Sequence, residues 1–321
     1  MHTPWVLTLD GASLRGDAKQ TDDLLSVVGG KALNLARLCR AEFPVPPAFV
    51  LTTAAYDHFV QANDLAAILA EQLQALDRDG SDALEAASLA IRARFSAGQM
   101  PGEVAEALDA AYAALGRPPV AVRSSATAED LPGFSFAGQH ETVLNVVGEE
   151  ALRRATIDCW SSLWTARAIA YRERNGIEQS TVALAVVVQE MVPSQSAGVL
   201  FTANPLTGQR NQAVIDATFG LGEALVSGQV EPDQYRVAGG ADGGSPRIVS
   251  KTLGSKALAI HGREGGGTVV VEEDKAGRQA LSDDLILELA RLGQRVKDLL
   301  GAPQDVEWAA VDGQLYLLQA R

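Results

Sequence analysis

The stretch of this sequence richest in polar, reactive side chains runs from Val120 to Thr142. An apolar, β-branched run ends at Arg123, and Ser124, Ser125, Thr127, Glu129 and Asp130 follow. A Pro132-Gly133 turn then leads through Gly138, Gln139, His140 and Glu141 to Thr142. A guanidinium beside hydroxyls and small-residue backbone suits an anion, above all a phosphate group. The same composition fits a surface hairpin whose Arg123 pairs with Glu129 or Asp130. A second cation stands in Gly29-Gly30-Lys31, where apolar residues from Ala32 to Cys39 recur at helical spacing. A lysine in a helix's first turn opposes the macrodipole unless an anion or carboxylate lies beside it. An exposed Lys31 on a helix held by packing is the plain alternative. The segment is no P-loop, because Leu25 and Ala32 occupy the positions where that motif needs Gly and Ser or Thr.

Two further segments carry groups that could hold a nucleotide and its metal. Thr181–Val188 reads as a continuous apolar strand that runs into Gln189, Glu190, Met191, Val192 and Pro193. Backbone N–H and C=O groups beside apolar walls would suit an adenine ring; an ordinary strand end leaving the core reads the same way. The segment from Asp305 to Arg321 reads as a hairpin with Asp305, Glu307, Gln319 and Arg321 at odd positions. A three-residue loop would pair Val311 with Leu315 and gather all four polar groups on one face, whereas a two-residue Asp312-Gly313 turn would set the odd faces against each other. The three-residue loop is the expectation. A carboxylate and an amide oxygen on one face suit a hard cation such as Mg²⁺, with the arginine reaching its bound phosphates.

The elements that must position these groups follow from pattern and punctuation. Trp5–Leu9 is a first strand, and Phe43–Leu51 is a proline-stiffened connection into a second. Residues 53–115 suggest three amphipathic helices, interrupted at Asp79-Gly80 and from Gly98 to Gly102. Residues 149–175 suggest one long helix with Trp160 and Trp164 on its buried side, stopped at Asn175-Gly176. Residues 197–202, 212–216, 235–237, 247–251 and 268–271 read as strands, and Ser282 caps a helix to about Leu300. The run from Phe219 to Gly228 lacks the full spacing of a dinucleotide-binding loop.

With 321 residues, 47% hydrophobic and 21% charged, the chain suits a large globular domain or two modest ones. A net charge of -13 argues against nonspecific nucleic-acid or anionic-membrane binding and requires a concentrated cationic site for any anion. Cys39 and Cys159 lie in apolar helical patterns and suggest neither a disulfide nor a thiolate metal site, which fits a reducing cytoplasm. No secretory leader or 18-residue apolar span is recognisable.

Taken in order, Gly-Gly-Lys31-Ala, Val-Arg123-Ser-Ser-Ala-Thr-Ala-Glu-Asp-Leu-Pro, Phe-Ala-Gly138-Gln-His-Glu-Thr142, Gln189-Glu-Met-Val, Gly-Leu-Gly-Glu-Ala-Leu-Val-Ser-Gly, Glu-Pro-Asp233, Asp305-Val-Glu307 and Leu-Gln319-Ala-Arg321 resemble one family. It is the N-terminal nucleotide-binding domain of phosphoenolpyruvate synthase, pyruvate phosphate dikinase and rifampicin phosphotransferase. The resemblance spans nearly the whole chain. It implies an α+β ATP-grasp fold of two lobes with ATP between them, drawn here as residues 1–187, including the helical segment 53–115, and 188–321. By the same resemblance Lys31 and Arg123 contact ATP phosphates, and Gly138 and Thr142 belong to a loop closing over them. Gln189, Glu190, Met191 and Val192 line the adenine pocket, Glu307 and Gln319 hold Mg²⁺, and Arg321 pairs with phosphate near the transferring group. The segment Pro132-Gly-Phe-Ser departs slightly from the family pattern.

The resemblance also implies an ATP- and Mg²⁺-dependent phosphotransferase that cleaves ATP to AMP and phosphate and passes a phosphoryl group to a histidine. That histidine needs a Thr- and Gly-rich setting, which none of His2, His58, His140 and His261 has. The chain is therefore expected to act with a phosphohistidine-bearing domain or partner subunit, as an excised domain or as a separate subunit resembling the split organisation of phenylphosphate synthase. The final small-molecule acceptor, whether pyruvate, a rifampicin-like hydroxyl or a phenol, would be chosen elsewhere. The competing reading is a nucleotide-sensing or interaction module that keeps the fold without catalysis. The full set Lys31, Arg123, Glu307, Gln319 and Arg321 favours catalysis, since a sensor could lose one charge-neutralising group and still bind adenine.

Overall fold

The computed structural model describes residues 3–9, 18–79, 81–127, 142–239, 245–272 and 275–321, excluding the side chains of 18–23, 75–79, 81 and 82. The chain forms two compact units, one of residues 1–36 and 47–191, the other of 37–46 and 192–321. The sequence-drawn 187/188 boundary falls inside a strand of the first unit. Among the described residues no helix is long and apolar enough to cross a membrane.

The first unit contains β1 (Val6–Thr8), most of α1 (Ala18–Arg40), β2 (Ala48–Leu51), α2 (Thr53–Ala62), α3 (Leu65–Asp79), α4 (Ser81–Ala97) and α5 (Gly102–Ala114). It continues with β3 (Val120–Ala126), β4 (Thr142–Val146), α6 (Glu149–Ser162), α7 (Ala166–Arg174) and β5 (Leu184–Glu190). Its strands form one antiparallel sheet in the order β1-β2-β5-β3-β4. Phe49, Leu51, Val120, Val122, Val186 and Val188 alternate onto the face that packs against the helical cluster. On the helical side, Phe59 and Tyr56 lie against Trp160, with ring centroids 5.0 and 6.2 Å away. Both Trp160 and Trp164 are buried core residues.

Four helices, not three, fill residues 53–114. The unforeseen break follows Asn63, where Asp64 adopts a left-handed φ of 51°. The Asn63 side chain donates to the carbonyls of Phe59 and Gln99 and accepts from the Gln99 N–H, holding that corner in place of helical bonds. The expected single helix over 149–175 is likewise two. Thr165 caps α7 by accepting from the Ala168 N–H, a helix start concealed within an apolar run.

The second unit contains β6 (Ser196–Phe201), β7 (Gln212–Phe219), α8 (Glu223–Val226), β8 (Asp233–Ala238), β9 (Arg247–Thr252), β10 (Leu258–Gly262), β11 (Thr268–Glu272), α9 (Asp283–Leu300), β12 (Asp305–Val311) and β13 (Gln314–Ala320). Six strands form an antiparallel sheet in the order β13-β12-β6-β7-β8-β9, and β10 pairs with β11. Strand β10, which the sequence pattern missed, is paired along its length to β11. Helix α9 begins at its Ser282 cap and ends at left-handed Gly301, φ 77°. Its Ile286, Leu289 and Val296 pack with Leu200, Ile215, Tyr235, Val306 and Trp308 from one sheet face. Gly293 permits this approach, because a Cβ there would sit 2.3 Å from Leu200 Cδ2. Where the sheet's β8 begins, Asp233 and Lys256 form a fully buried ion pair.

Candidate nucleotide site

In the first unit, α1 is two helical segments joined at Gly29, whose φ of 73° and ψ of 169° break the helix immediately before Lys31. Lys31 therefore does stand in the first turn of a helical segment. Gly29 is required twice over. Its φ is left-handed, and a Cβ would lie 2.2 Å from the Ser125 carbonyl oxygen. This contact fixes the segment on β3: the Ala32 N–H donates to Ser125 Oγ at 3.1 Å, and Lys31 Nζ donates to the Ser124 carbonyl at 3.0 Å.

The β3 register completes the arrangement. Arg123 lies opposite Val187 on one side and Thr142 on the other, while Ala121 lies opposite Gln189. Directly paired residues share a face, and so do residues two apart along a strand. Arg123, Thr142 and Gln189 thus lie on the same sheet face, the one opposite Val122 and Val188 of the helical core. Arg123 and Gln189 are buried and Thr142 is exposed. The Gln189 Nε2 atom on this face is buried without a hydrogen-bond partner and so retains donor capacity for a ligand, whereas the equally unpartnered Ser124 Oγ, paired opposite Val186, lies on the helical-core face. Gly138 lies outside the described residues.

Two of the backbone donors expected where β5 ends are engaged. The N–H of Glu190 donates to the Pro47 carbonyl and that of Met191 to the Pro119 carbonyl, each at 2.9 Å. Of this segment, the atom best suited to a new donor contact is Gln189 Nε2. Met191 is the last residue of the first unit, and Val192 belongs to the second, where it packs with Ala197 and Ala309.

In the second unit, the terminal hairpin departs from expectation and still gathers the predicted residues. Its turn is the two-residue one: Val311 pairs with Gln314, not Leu315. A bulge between Glu307 and Trp308 on one strand, with Leu318 as the extra residue on the other, then resets the register so that Glu307 pairs with Gln319. Side-chain packing reports the same shift. Leu317 and Ala320, three residues apart, both enter the α9 core, while Leu318 packs with Val192, Ala197 and Ala309 on the other face. Beyond the bulge Asp305 and Arg321 exchange backbone hydrogen bonds of 2.8 and 3.0 Å. Their side chains approach to 3.9 Å, each about half exposed. Burial raises the Asp305 carboxyl above its ordinary range, and Arg321 partly opposes that shift.

The pairing continues across the sheet. Glu307 lies opposite Val199, Val199 opposite Asp216, and Asp216 opposite Gln234. One row on the face away from α9 therefore reads Gln319, Glu307, Val199, Asp216, Gln234. Asp216 was not singled out from sequence; its signal was a lone carboxylate inside an apolar strand. Burial raises its pKa, offset in part by the Gln234 amide donating to Asp216 Oδ1 at 3.2 Å. Glu307 and Gln319 supply a carboxylate and an amide oxygen from adjacent positions, a donor set suited to Mg²⁺ rather than to a softer metal. No group of three or more His, Cys, Asp and Glu side chains forms a metal cluster among the described residues.

Comparison with known proteins gives this geometry its context. The AMP/ATP-binding domain of pyruvate phosphate dikinase matches residues 25–321. The chain is 43% identical over 307 residues to a probable phosphoenolpyruvate synthase of Methanothermobacter thermautotrophicus, covering 93% of this chain and 44% of that protein. It is 42% identical over 301 residues to a rifampicin phosphotransferase of a Streptomyces species, covering 92% of this chain and 34% of the relative. A phosphoenolpyruvate synthase of Pyrococcus furiosus is 40% identical over 343 aligned residues, covering 92% of this chain and 42% of the relative. The chain thus spans less than half the length of these relatives. By the match over residues 25–321, it belongs to the pyruvate phosphate dikinase AMP/ATP-binding domain family.

Proposed function

We propose that this chain binds ATP with Mg²⁺ in an ATP-grasp manner and delivers a phosphoryl group to a histidine on a separate domain or partner subunit. A small-molecule acceptor chosen elsewhere then receives it. The observation that carries the reading is the β3–β5 face, where Arg123 and the Gln189 amide share one side and Lys31 is pinned to the adjoining Ser124 carbonyl. Two cations and a buried amide with unused donor capacity form a set for a polyanion joined to a heterocycle. The names of the relatives, phosphoenolpyruvate synthase and rifampicin phosphotransferase, support a phosphotransfer role.

In this proposal Lys31 and Arg123 bind phosphate oxygens and offset the negative charge that grows during transfer. Thr142 and Gly138 contribute to phosphate closure, and Gln189 to Val192 contact the base. Glu307 and Gln319 hold Mg²⁺, which when bound supplies charge neutralisation and alignment of the phosphates. Arg321 steadies phosphate near the transferring group. The histidine nitrogen attacks the β-phosphorus, the bond from that phosphorus to the oxygen bridging it to the α-phosphorus breaks and AMP leaves. Water then takes the terminal phosphoryl group as inorganic phosphate, leaving the β-phosphoryl group on histidine. ATP, water and histidine thereby give AMP, inorganic phosphate and phosphohistidine. Positioning and charge neutralisation supply most of the catalysis in such transfers.

Isothermal titration of the chain with ATP, with and without Mg²⁺, tests the binding step. Saturable binding strengthened by Mg²⁺ in the parent, with that strengthening lost in Glu307→Ala, is expected. Binding indifferent to Mg²⁺ in both proteins would remove the metal assignment.

A further inference from the structure

On the α9 side of the second unit's sheet lies a cavity of about 300 Å³, within the size range of small-molecule sites. Its apolar floor comes from Leu200, Ala213, Val237 and Ala290. Leu200, Val237 and Ala290 are buried members of the α9 core, so this floor belongs to the sheet face opposite the Glu307 row. Its polar rim includes Arg210, Arg291 and Arg295. In a chain with a net charge of -13, three arginines around one apolar floor are a local reversal of sign.

The rim is organised. Lys297 Nζ donates to the Arg210 carbonyl at 2.9 Å and ties that loop to α9. The Arg295 guanidinium lies over the Phe43 ring, 4.5 Å from its centroid, which fixes its plane and leaves its edge donors available. Gln294 donates to Asp298 Oδ1 at 2.8 Å, directing that neighbouring carboxylate's charge into a hydrogen bond on α9. Among the described residues no Asp or Glu lines the cavity, and neither Arg210 nor Arg291 forms an ion pair.

We infer that this cavity is a second ligand site, separate from the nucleotide residues, for a small organic carboxylate with an apolar body. The carboxylate meets the arginine fork at the rim and the hydrocarbon covers the floor. Neither part alone accounts for the combination, since a simple anion site needs no apolar base and a simple apolar pocket needs no three guanidinium groups.

The test is calorimetric titration of the whole chain with 4-phenylbutyrate, its neutral analogue 4-phenylbutan-1-ol and inorganic phosphate. Saturable binding of the carboxylate is expected, roughly tenfold or more tighter than that of the alcohol or of phosphate. Arg291→Gln and Arg295→Gln, both at exposed positions, should each weaken it several-fold to roughly tenfold, and saturating ATP should leave it unchanged. Ala213→Leu, confirmed folded by circular dichroism, should block the carboxylate while preserving ATP binding. Absence of saturable binding, equal affinity for the alcohol or phosphate, indifference to the arginine changes, or displacement by ATP would overturn the inference. Because the readout is carboxylate binding in the presence and absence of ATP, failure of the nucleotide proposal would leave this result separately readable.

Discussion

Replacing Lys256 with Met should destabilise the second unit by about 3 kcal/mol, because it leaves Asp233 as an uncompensated buried charge. Both side chains are fully buried, and Lys256 Nζ reaches Asp233 Oδ1 as well as the Gly254 carbonyl at 2.7 Å. The loss should fall near the lower end of the range of about 3–5 kcal/mol for breaking a buried pair. Asp233 still accepts from the Gly254 N–H at 3.0 Å, the Ala280 N–H at 2.7 Å and the Tyr235 hydroxyl at 2.7 Å. Asp233→Leu should cost more, about 5 kcal/mol, because it removes every one of those acceptor contacts and leaves the ammonium with the Gly254 carbonyl. The double variant should cost clearly less than the sum of the two, since neither charge is then stranded. Urea unfolding followed by circular dichroism measures all three. A Lys256→Met loss below about 1 kcal/mol, or strict additivity in the double variant, would refute the reasoning.

Gly29→Ala should cost roughly 2–4 kcal/mol in the same assay, combining left-handed strain with overlap on Ser125, and should weaken ATP binding by shifting Lys31. Arg123→Ala should lower phosphoryl transfer by roughly 100-fold or more while leaving the chain folded, as judged by its circular dichroism. Asp216→Asn should make stability less dependent on pH. The raised folded-state pKa means that the unfolded chain loses its Asp216 proton first, so this group's contribution to stability falls as pH rises from the ordinary carboxylate range through the raised value. The variant should therefore gain on the parent at neutral pH and lose that advantage in acid, as urea midpoints at the two conditions would show.

The residue types of the candidate site were legible in the sequence because strand alternation and glycine punctuation mark them. Lys31 after Gly29, and Arg123 at the end of an apolar run facing Thr142 across β3–β4, stand where the pattern put them. Register was the less legible part. The turn at Asp312-Gly313 is the one that would have set Glu307 against Gln319, and only the extra Leu318 reverses this. Leu318 resembles any other strand leucine, and its role as the bulge depends on packing against Val192, Ala197 and Ala309, two of which are more than a hundred positions away. Helix breaks were hidden for a similar reason. Asp64 adopts its left-handed φ without a neighbouring Gly or Pro, and Thr165 caps α7 within a run of apolar residues. Asp216 joins the Glu307 row through the pairing of β6 with both β7 and β12, a long-range order that no local window contains.

The most direct measurement incubates the chain with ATP labelled at the β-phosphorus, Mg²⁺ and a separately supplied histidine-bearing domain of a phosphoenolpyruvate synthase relative. The proposal predicts acid-labile, alkali-stable label on that domain, formed together with AMP and inorganic phosphate and abolished by Arg123→Ala. ATP binding that remains intact while the domain stays unlabelled would contradict phosphoryl transfer and leave the chain as a nucleotide-sensing module.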